Sequence, residues 1–102
     1  MRKIDLSVTY IYIVNSDLKM SKGKIAAQIS HVAMLLADFN KPIGRAIVLK
    51  ATNETLLKLM KYPNVKFIHD AGLTEVPKGS LTCIGFIQTP IMKKVTKNLK
   101  LL

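Results

Sequence analysis

Lys24, Gln28 and His31 are three polar side chains spaced i, i+4 and i+7. On a helix, about 100° per residue brings them within roughly 60° of one another. An ammonium, a carboxamide and an imidazole on one stripe can bind an oxyanion, orient a polar substrate and exchange a proton near neutral pH. Just upstream, Lys19-Met20-Ser21-Lys22-Gly23-Lys24 makes a basic turn at the expected helix start. Unpaired backbone N–H groups at such a start favour anions, and Gly23 lets a ligand approach the backbone closely. The turn is not a Walker loop: Ile25 follows Lys24 where Ser or Thr is needed, and Leu18 stands where the first Gly belongs. Phosphate binding is expected here and nucleotide hydrolysis is not. The ordinary alternative for the stripe is a solvated helix face.

A second polar group lies far downstream. Asp70 opens a loop that contains Gly72 and Gly79, and Thr82 begins the next apolar run. Taken alone, Asp70 reads as turn chemistry, since Asp bonds nearby backbone amides. In a functional reading its carboxylate faces His31 or a lysine, and the Thr82 hydroxyl bonds Asp70 or a substrate. His69 adjoins Asp70, but side chains alternate along a strand, so the two are expected to point apart and His69 to be superficial or structural. Tyr10, Tyr12 and Phe67 fit strand patterns and are expected in the core rather than as base-stacking platforms.

Cys83 is the only cysteine and lies in an apolar stretch, where a thiol packs as a small hydrophobe. It forms no intramolecular disulfide, which suits a reducing cytosol. No Cys/His cluster has zinc spacing, and there is no G-x-S-x-G, H-E-x-x-H or paired-carboxylate motif. An enzyme built on these residues is expected to activate water without a metal or a cofactor.

The elements that must position these groups alternate. Val8 to Val14 is β-branched and aromatic, as in a buried strand. Ser21 is a natural N-cap, and Ile25, Ile29, Val32 and Leu36 recur at helical spacing, so a helix is expected from Lys22 to about Phe39. Asn40-Lys41-Pro42-Ile43-Gly44 breaks it. Ala46 to Leu49 reads as a second strand. Asn53 caps a short helix with Leu56, Leu57, Met60 and Leu59 facing inward, and Val65 to Ile68 reads as a third strand. Leu81 to Ile87 reads as a fourth strand, and Pro90 starts a last helix with Ile91, Val95 and Leu99 on one face. The order β-α-β-α-β-β-α predicts an α/β layer fold around a mixed sheet.

The 102 residues suit a single domain, 1–102, with 49% hydrophobic residues and no linker, repeat or low-complexity segment. Met1-Arg2-Lys3 followed by Val8 to Val14 has the layout of a short signal peptide. Asp5 interrupts it and no A-x-A-like site follows, so a strand is expected. No apolar run approaches the roughly 18 residues of a membrane span. The net charge of +10, from 16 Lys and Arg against 6 Asp and Glu, points to a polyanionic partner. Charge alone does not separate RNA from DNA or an anionic surface.

Asp17-Leu18-Lys19-Met20-Ser21-Lys22-Gly23-Lys24-Ile25-Ala26-Ala27-Gln28-Ile29-Ser30-His31 resembles the D-L-K-M-G-K-G-K-x-A-A-Q-x-x-H-A signature of type 2, archaeal and eukaryotic, peptidyl-tRNA hydrolases. Asp70 to Thr82 is similar to that family's D-A-G-x-T-x-x-x-x-G-S-x-T segment, and the ending Lys94 to Leu102 is also similar. Two long motifs in order are a specific signal, and the likeness runs from about Val8 to the end. The resemblance implies a three-layer α/β/α fold with a mixed four-stranded sheet. It also implies metal-independent hydrolysis of the ester between a peptide and the terminal ribose of tRNA. The family's functional residues carry over onto Lys19, Gln28, His31, Asp70 and Thr82, with Lys22 and Lys24 as basic neighbours. The chain departs from the pattern at Ser21 for Gly, at Asn15 for an Arg expected at the mouth of the site, and at Ile87-Gln88 for a Gly-Pro pair. The connection from Asn40 to Gly44 is shorter than typical.

The expected chemistry follows. Lys19, His31, Asp70 and Thr82 form the catalytic set, and Lys22, Gly23, Lys24 and Gln28 bind substrate. Peptidyl-tRNA docks on the Lys19 to Lys24 turn. Asp70 and Thr82 position a water or orient a lysine, His31 or Asp70 acts as base, and Lys19 or Gln28 stabilises the oxyanion. A non-catalytic RNA-binding module of the same fold is the competing expectation, and a general basic DNA-binding protein a third. Apolar positions on the last helix allow a homodimer without demanding one.

Overall fold

A computed structural model describes residues 3–102, so the Met1-Arg2 part of the N-terminal basic run lies outside the described residues. The chain runs β1 (Ile4–Asn15), a 3-10 turn (Ser16–Leu18), α1 (Lys22–Leu36), β2 (Ile43–Ala51), α2 (Asn53–Leu59), β3 (Lys66–His69), β4 (Leu81–Ile87), α3 (Pro90–Val95) and β5 (Lys100–Leu101). The β-branched run of β1 lies at the centre of a mixed sheet ordered β3-β4-β1-β2-β5. β1 and β2 are parallel, while β1–β4, β3–β4 and β2–β5 are antiparallel.

Strand alternation divides the interior in two. Ile11 and Ile13 point to the face covered by α2 and α3, where Leu56, Leu59, Phe86 and Met92 complete the core. Tyr12 and Val14 point to the opposite face, where α1 brings Val32, Ile25, Ile29 and Leu36. Helices thus cover both faces of the sheet, and the stripe expected on α1 is the one that packs.

The sheet has five strands rather than the expected four. Lys100 pairs with Lys50 and Leu101 with Leu49, just after Leu99, the last residue placed on the expected helix face. α3 stops at Val95 because the Thr96 hydroxyl donates to the Met92 carbonyl and Thr96 leaves helical geometry, after which the chain turns back beside β2. A two-residue strand carries no periodicity of its own; the open edge of β2 makes it. The same turn alters the helix face: Met92 is buried, whereas Ile91 is 66% and Val95 40% exposed. Phe67, expected in the core, is 38% exposed on the edge strand β3. α1 ends at Leu36 rather than near Phe39, Thr52 rather than Asn53 caps α2, and Leu57 is turned outward.

Gly85 sets how closely α1 approaches the sheet. A Cβ there would lie 2.5 Å from Val32 Cγ1 and 3.0 Å from Tyr12 Cδ1. With no side chain on β4 at that point, α1 settles onto the sheet, and Gln28, one turn before Val32, reaches Thr82.

Candidate active site

The site forms where β1 ends and α1 begins, beside the loop that joins β3 to β4. Ser21 caps α1: its hydroxyl accepts from the Lys24 N–H at 3.3 Å. Helical spacing then projects Lys24 and Gln28 toward Asp70, which the chain reaches at the end of β3. Backbone bonds hold Asp70 in place, its N–H donating to Ser80 O at 2.9 Å and its carbonyl accepting from the Gly79 N–H at 2.8 Å.

The polar groups close into one network. Lys24 Nζ donates to Asp70 Oδ1 at 2.8 Å and to Thr74 Oγ1 at 2.9 Å. Gln28 Nε2 donates to the same Asp70 oxygen at 3.1 Å, and Gln28 Oε1 accepts from the Thr82 hydroxyl at 2.7 Å. A carboxylate only accepts, so the amide nitrogen of Gln28 must face Asp70. Asp70 Oδ2 accepts from the Gly72 N–H at 2.7 Å. Gly72 holds φ +79°, and a Cβ there would lie 2.6 Å from Lys78 Cα, so the loop requires glycine. The Lys24 and Asp70 side chains are 9% and 8% exposed. The Lys24 hydrogen bond, then the Gly72 N–H, hold the Asp70 carboxyl below the usual carboxylate range, against the opposing effect of burial. Asp70 is therefore an anion at neutral pH.

Glu75 makes a second tie between the same segments. Its carboxylate accepts from the Ser21 N–H at 2.8 Å and the Ser21 hydroxyl at 2.6 Å, and these bonds lower its pKa. The chain's own carboxylate thus occupies part of the helix start that the sequence offers to an external anion. At Ser21, where the family signature has Gly, the hydroxyl serves both as N-cap and as donor to Glu75.

A cleft of about 620 Å³ opens over this network, with Gly23, Lys24, Gln28, His31, His69 and Asp70 among its walls. His31 is exposed on one wall, next to the network. Thr82 is fully buried behind Gln28, so it positions the amide and does not face the cleft. Lys19 and Lys22 are exposed and outside the cleft walls; Lys19 ends the 3-10 turn with a left-handed backbone, φ 52°. The ammonium that meets Asp70 is that of Lys24. His69, expected to be superficial or structural, is exposed and lines the cleft, its ring edge-on to Phe67 with centroids 5.5 Å apart.

Sequence reasoning passed over Thr74 and Glu75. Glu75 carries a positive φ of 56°, and nothing in its local pattern points to Ser21. Of the departures, Asn15 shares strand parity with Ile11 and Ile13, so its side chain faces α2. There its Nδ2 donates to Asn53 Oδ1 at 2.9 Å and Leu81 O at 2.8 Å. Ile87-Gln88 lies at the far end of β4 from the cleft, where Gln88 N donates to Thr9 O. Cys83 is fully buried, and burial pushes its thiol up to about 12. Among the described residues no three His, Cys, Asp or Glu side chains gather as a metal-holding group, and no helix is long and apolar enough to cross a membrane.

A family model described as peptidyl-tRNA hydrolase PTH2 matches residues 8–102. A peptidyl-tRNA hydrolase of Thermococcus sibiricus is 39% identical over an alignment covering 89% of this chain and 94% of the relative. A second, from Thermococcus onnurineus, is 36% identical with the same coverage. The mitochondrial peptidyl-tRNA hydrolase 2 of Bos taurus is 37% identical over 89% of this chain and 62% of its own length. On the strength of both the family match and these identities, the chain belongs to the peptidyl-tRNA hydrolase PTH2 family.

Proposed function

We propose that this protein hydrolyses the ester joining a peptide to the terminal ribose of tRNA, releasing both. The observation that carries the reading is the Lys24–Asp70–Gln28–Thr82 network under an open cleft, in a chain that matches the hydrolase family from residue 8 to its end.

The network assigns roles by what each group has left to offer. Asp70 has both oxygens engaged by three donors and is held anionic, so it anchors Lys24 and Gln28 and is a poor acceptor for a proton from water. Lys24 has three N–H donors and uses two; Gln28 has two and uses one. One donor of each remains for the oxyanion formed when water attacks the ester carbonyl. His31, exposed on the cleft wall, takes the proton from that water. The C–O bond to ribose then breaks, and the proton leaves on the ribose oxygen. Thr82 fixes the amide of Gln28 from behind. Lys19 and Lys22, outside the cleft, hold the phosphates of the incoming tRNA.

In this reading a single domain carries the activity, and each step above is assigned to side chains of the chain itself. Cys83, buried with its thiol pKa pushed up to about 12, suits a reducing cytoplasm. Ile91 and Val95, exposed on α3, are the apolar side chains a homodimer would cover.

The test is incubation with N-acetylaminoacyl-tRNA and with free aminoacyl-tRNA. Release from the acetylated species alone is expected. Salt-sensitive binding without release would make the protein an RNA-binding module instead. Single-turnover rates of Lys24→Ala, Gln28→Ala, His31→Ala and Asp70→Ala then test the site, and wild-type rates in all four would remove it.

A further inference from the structure

We infer that Lys50 and Lys100 form a second subsite on this protein, for a phosphodiester of the tRNA behind the terminal nucleotide. The inference rests on the tRNA reading above and adds the place where the body of that substrate is held.

β1 and β2 are parallel, and Asn15 pairs with Ala51, so their C-terminal ends share one edge of the sheet. β4 begins and β3 ends at that edge, because β4 runs against β1 and β3 against β4. β5 runs against β2 and starts there too, at Lys100. The cleft occupies the β3–β4 end of this edge. From β3 to β5 is four strand spacings, roughly 19 Å.

At the β5 end the register sets Lys50 directly opposite Lys100. Opposed residues project to the same face with Cβ atoms about 5 Å apart, and like charges placed so repel. Both lysines are exposed. Lys50 alternates with Leu49 and Ala51, which face α2, so it shares the α1 face with Val48, the face that carries the cleft. An open cleft of about 360 Å³ lies beside the pair at the rim of the sheet, where Ser16, Thr52, Thr55 and Asn98 line it together with the apolar Ala51 and Leu99 of the α2 side. No Asp or Glu is among those walls in the described residues. The nearby carboxylate of Asp17 is engaged by the Asn53 N–H at 2.8 Å. Thr52 and Thr55 bond to each other as the α2 cap, so two like-charged ammonium groups beside Ser16 and Asn98 fit a phosphodiester, which neutralises the pair and accepts from the Ser16 hydroxyl and the Asn98 amide. The exposed Lys19 and Lys22, in the connection from β1 to α1, lie on the same edge and extend the positive path toward the cleft.

The experiment uses a Lys50→Gln/Lys100→Gln double variant, with Lys66→Gln at the opposite end of β3 as control. Binding of uncharged tRNA is measured against salt, and kcat/KM is measured on N-acetylaminoacyl-tRNA and on the N-acetylaminoacyl ester of adenosine. The double variant is expected to reduce the log–log salt slope by about 1–2 and to lower kcat/KM for the tRNA about tenfold. Its kcat/KM on the adenosine ester should stay within about twofold, its melting temperature should hold or rise, and Lys66→Gln should leave the slope unchanged. An unchanged slope in the double variant overturns the subsite, as does an equal loss on both substrates or an equal slope change in Lys66→Gln. If the wild-type protein hydrolyses neither substrate, the hydrolase reading fails, and the salt slope for tRNA still decides the subsite.

Discussion

The two faces of the sheet are packed to different rules. Under α2 and α3 an apolar cluster runs from Ile11 and Ile13 to Phe86 and Met92, and the polar side chains buried at its margins, Asn15 and Thr96, bond only to the fold itself. Under α1 the apolar packing of Tyr12, Val14, Val32 and Cys83 gives way, near the start of the helix, to the buried polar side chains of Gln28 and Thr82. Those groups are tolerated because each finds a partner: Thr82 with Gln28, Gln28 with Asp70, Asp70 with Lys24 and Gly72. Both faces thus carry apolar packing but only one carries the polar network, and substitutions in the α2/α3 core and in that network should separate.

The largest effect is expected from Phe86→Ala, on the α2/α3 face. Phe86 is 2% exposed, and truncating a buried phenylalanine costs about 3–5 kcal/mol. Urea unfolding should show this loss, while the rate per folded molecule stays near wild type. The mirror experiment is Lys24→Ala on the α1 face. Removing an oxyanion donor costs about 10²–10³ in kcat. Lys19→Ala, outside the cleft, should keep kcat within a few fold and act on KM. A large kcat loss in Lys19→Ala with little in Lys24→Ala would return the catalytic ammonium to Lys19 and undo the contrast between cleft and edge.

Much of this division was legible before the structure. The β-branched run around Tyr10 to Val14 and the Ile25, Ile29, Val32, Leu36 stripe dictate a central strand and a packed helix, because both are long and strongly periodic. The i, i+4 spacing of Lys24 and Gln28 put them on one stripe. It does not say which lysine meets Asp70, since that depends on how closely α1 lies on Gly85. β5 escaped because two residues have no period and only the edge of β2 defines them. The Glu75–Ser21 tie escaped because it joins residues 54 positions apart through a left-handed loop residue. Thr82 was recognisable as a site residue by motif, but its place behind Gln28 depends on the burial of β4.

Acid should sharpen the same contrast. Asp70 and Glu75 both tie the β3–β4 loop to α1, and both have folded pKa values below their ordinary 3.8 and 4.5. The unfolded chain therefore binds more protons than the folded one as pH falls through that range. Their contribution is fully present above the unfolded values, so it is constant from about pH 8 to 5.5 and is lost progressively below about pH 4.5. Urea unfolding from pH 7 to 3 should show that limb. Asp70→Asn and Glu75→Gln should each make it shallower, whereas Phe86→Ala should shift the whole curve down without changing its shape. A limb unchanged in both carboxylate variants would mean that the loop is held by its backbone bonds alone.

The smallest effect tests whether the α1 side trades stability for access at a single residue. Gly23 is exposed in the first turn of α1, and a Cβ built there meets nothing within 4 Å. Nothing in the fold requires glycine at this position, and alanine gains about 0.5–1 kcal/mol at an exposed helical site. Gly23 also lines the cleft, so the added methyl would stand where substrate passes. Gly23→Ala should therefore raise the melting temperature by a few degrees, raise KM for N-acetylaminoacyl-tRNA several-fold and leave kcat unchanged. A higher melting temperature with unaltered KM would mean that the substrate does not approach the backbone at Gly23. The anion contacts of this edge would then rest on side chains alone.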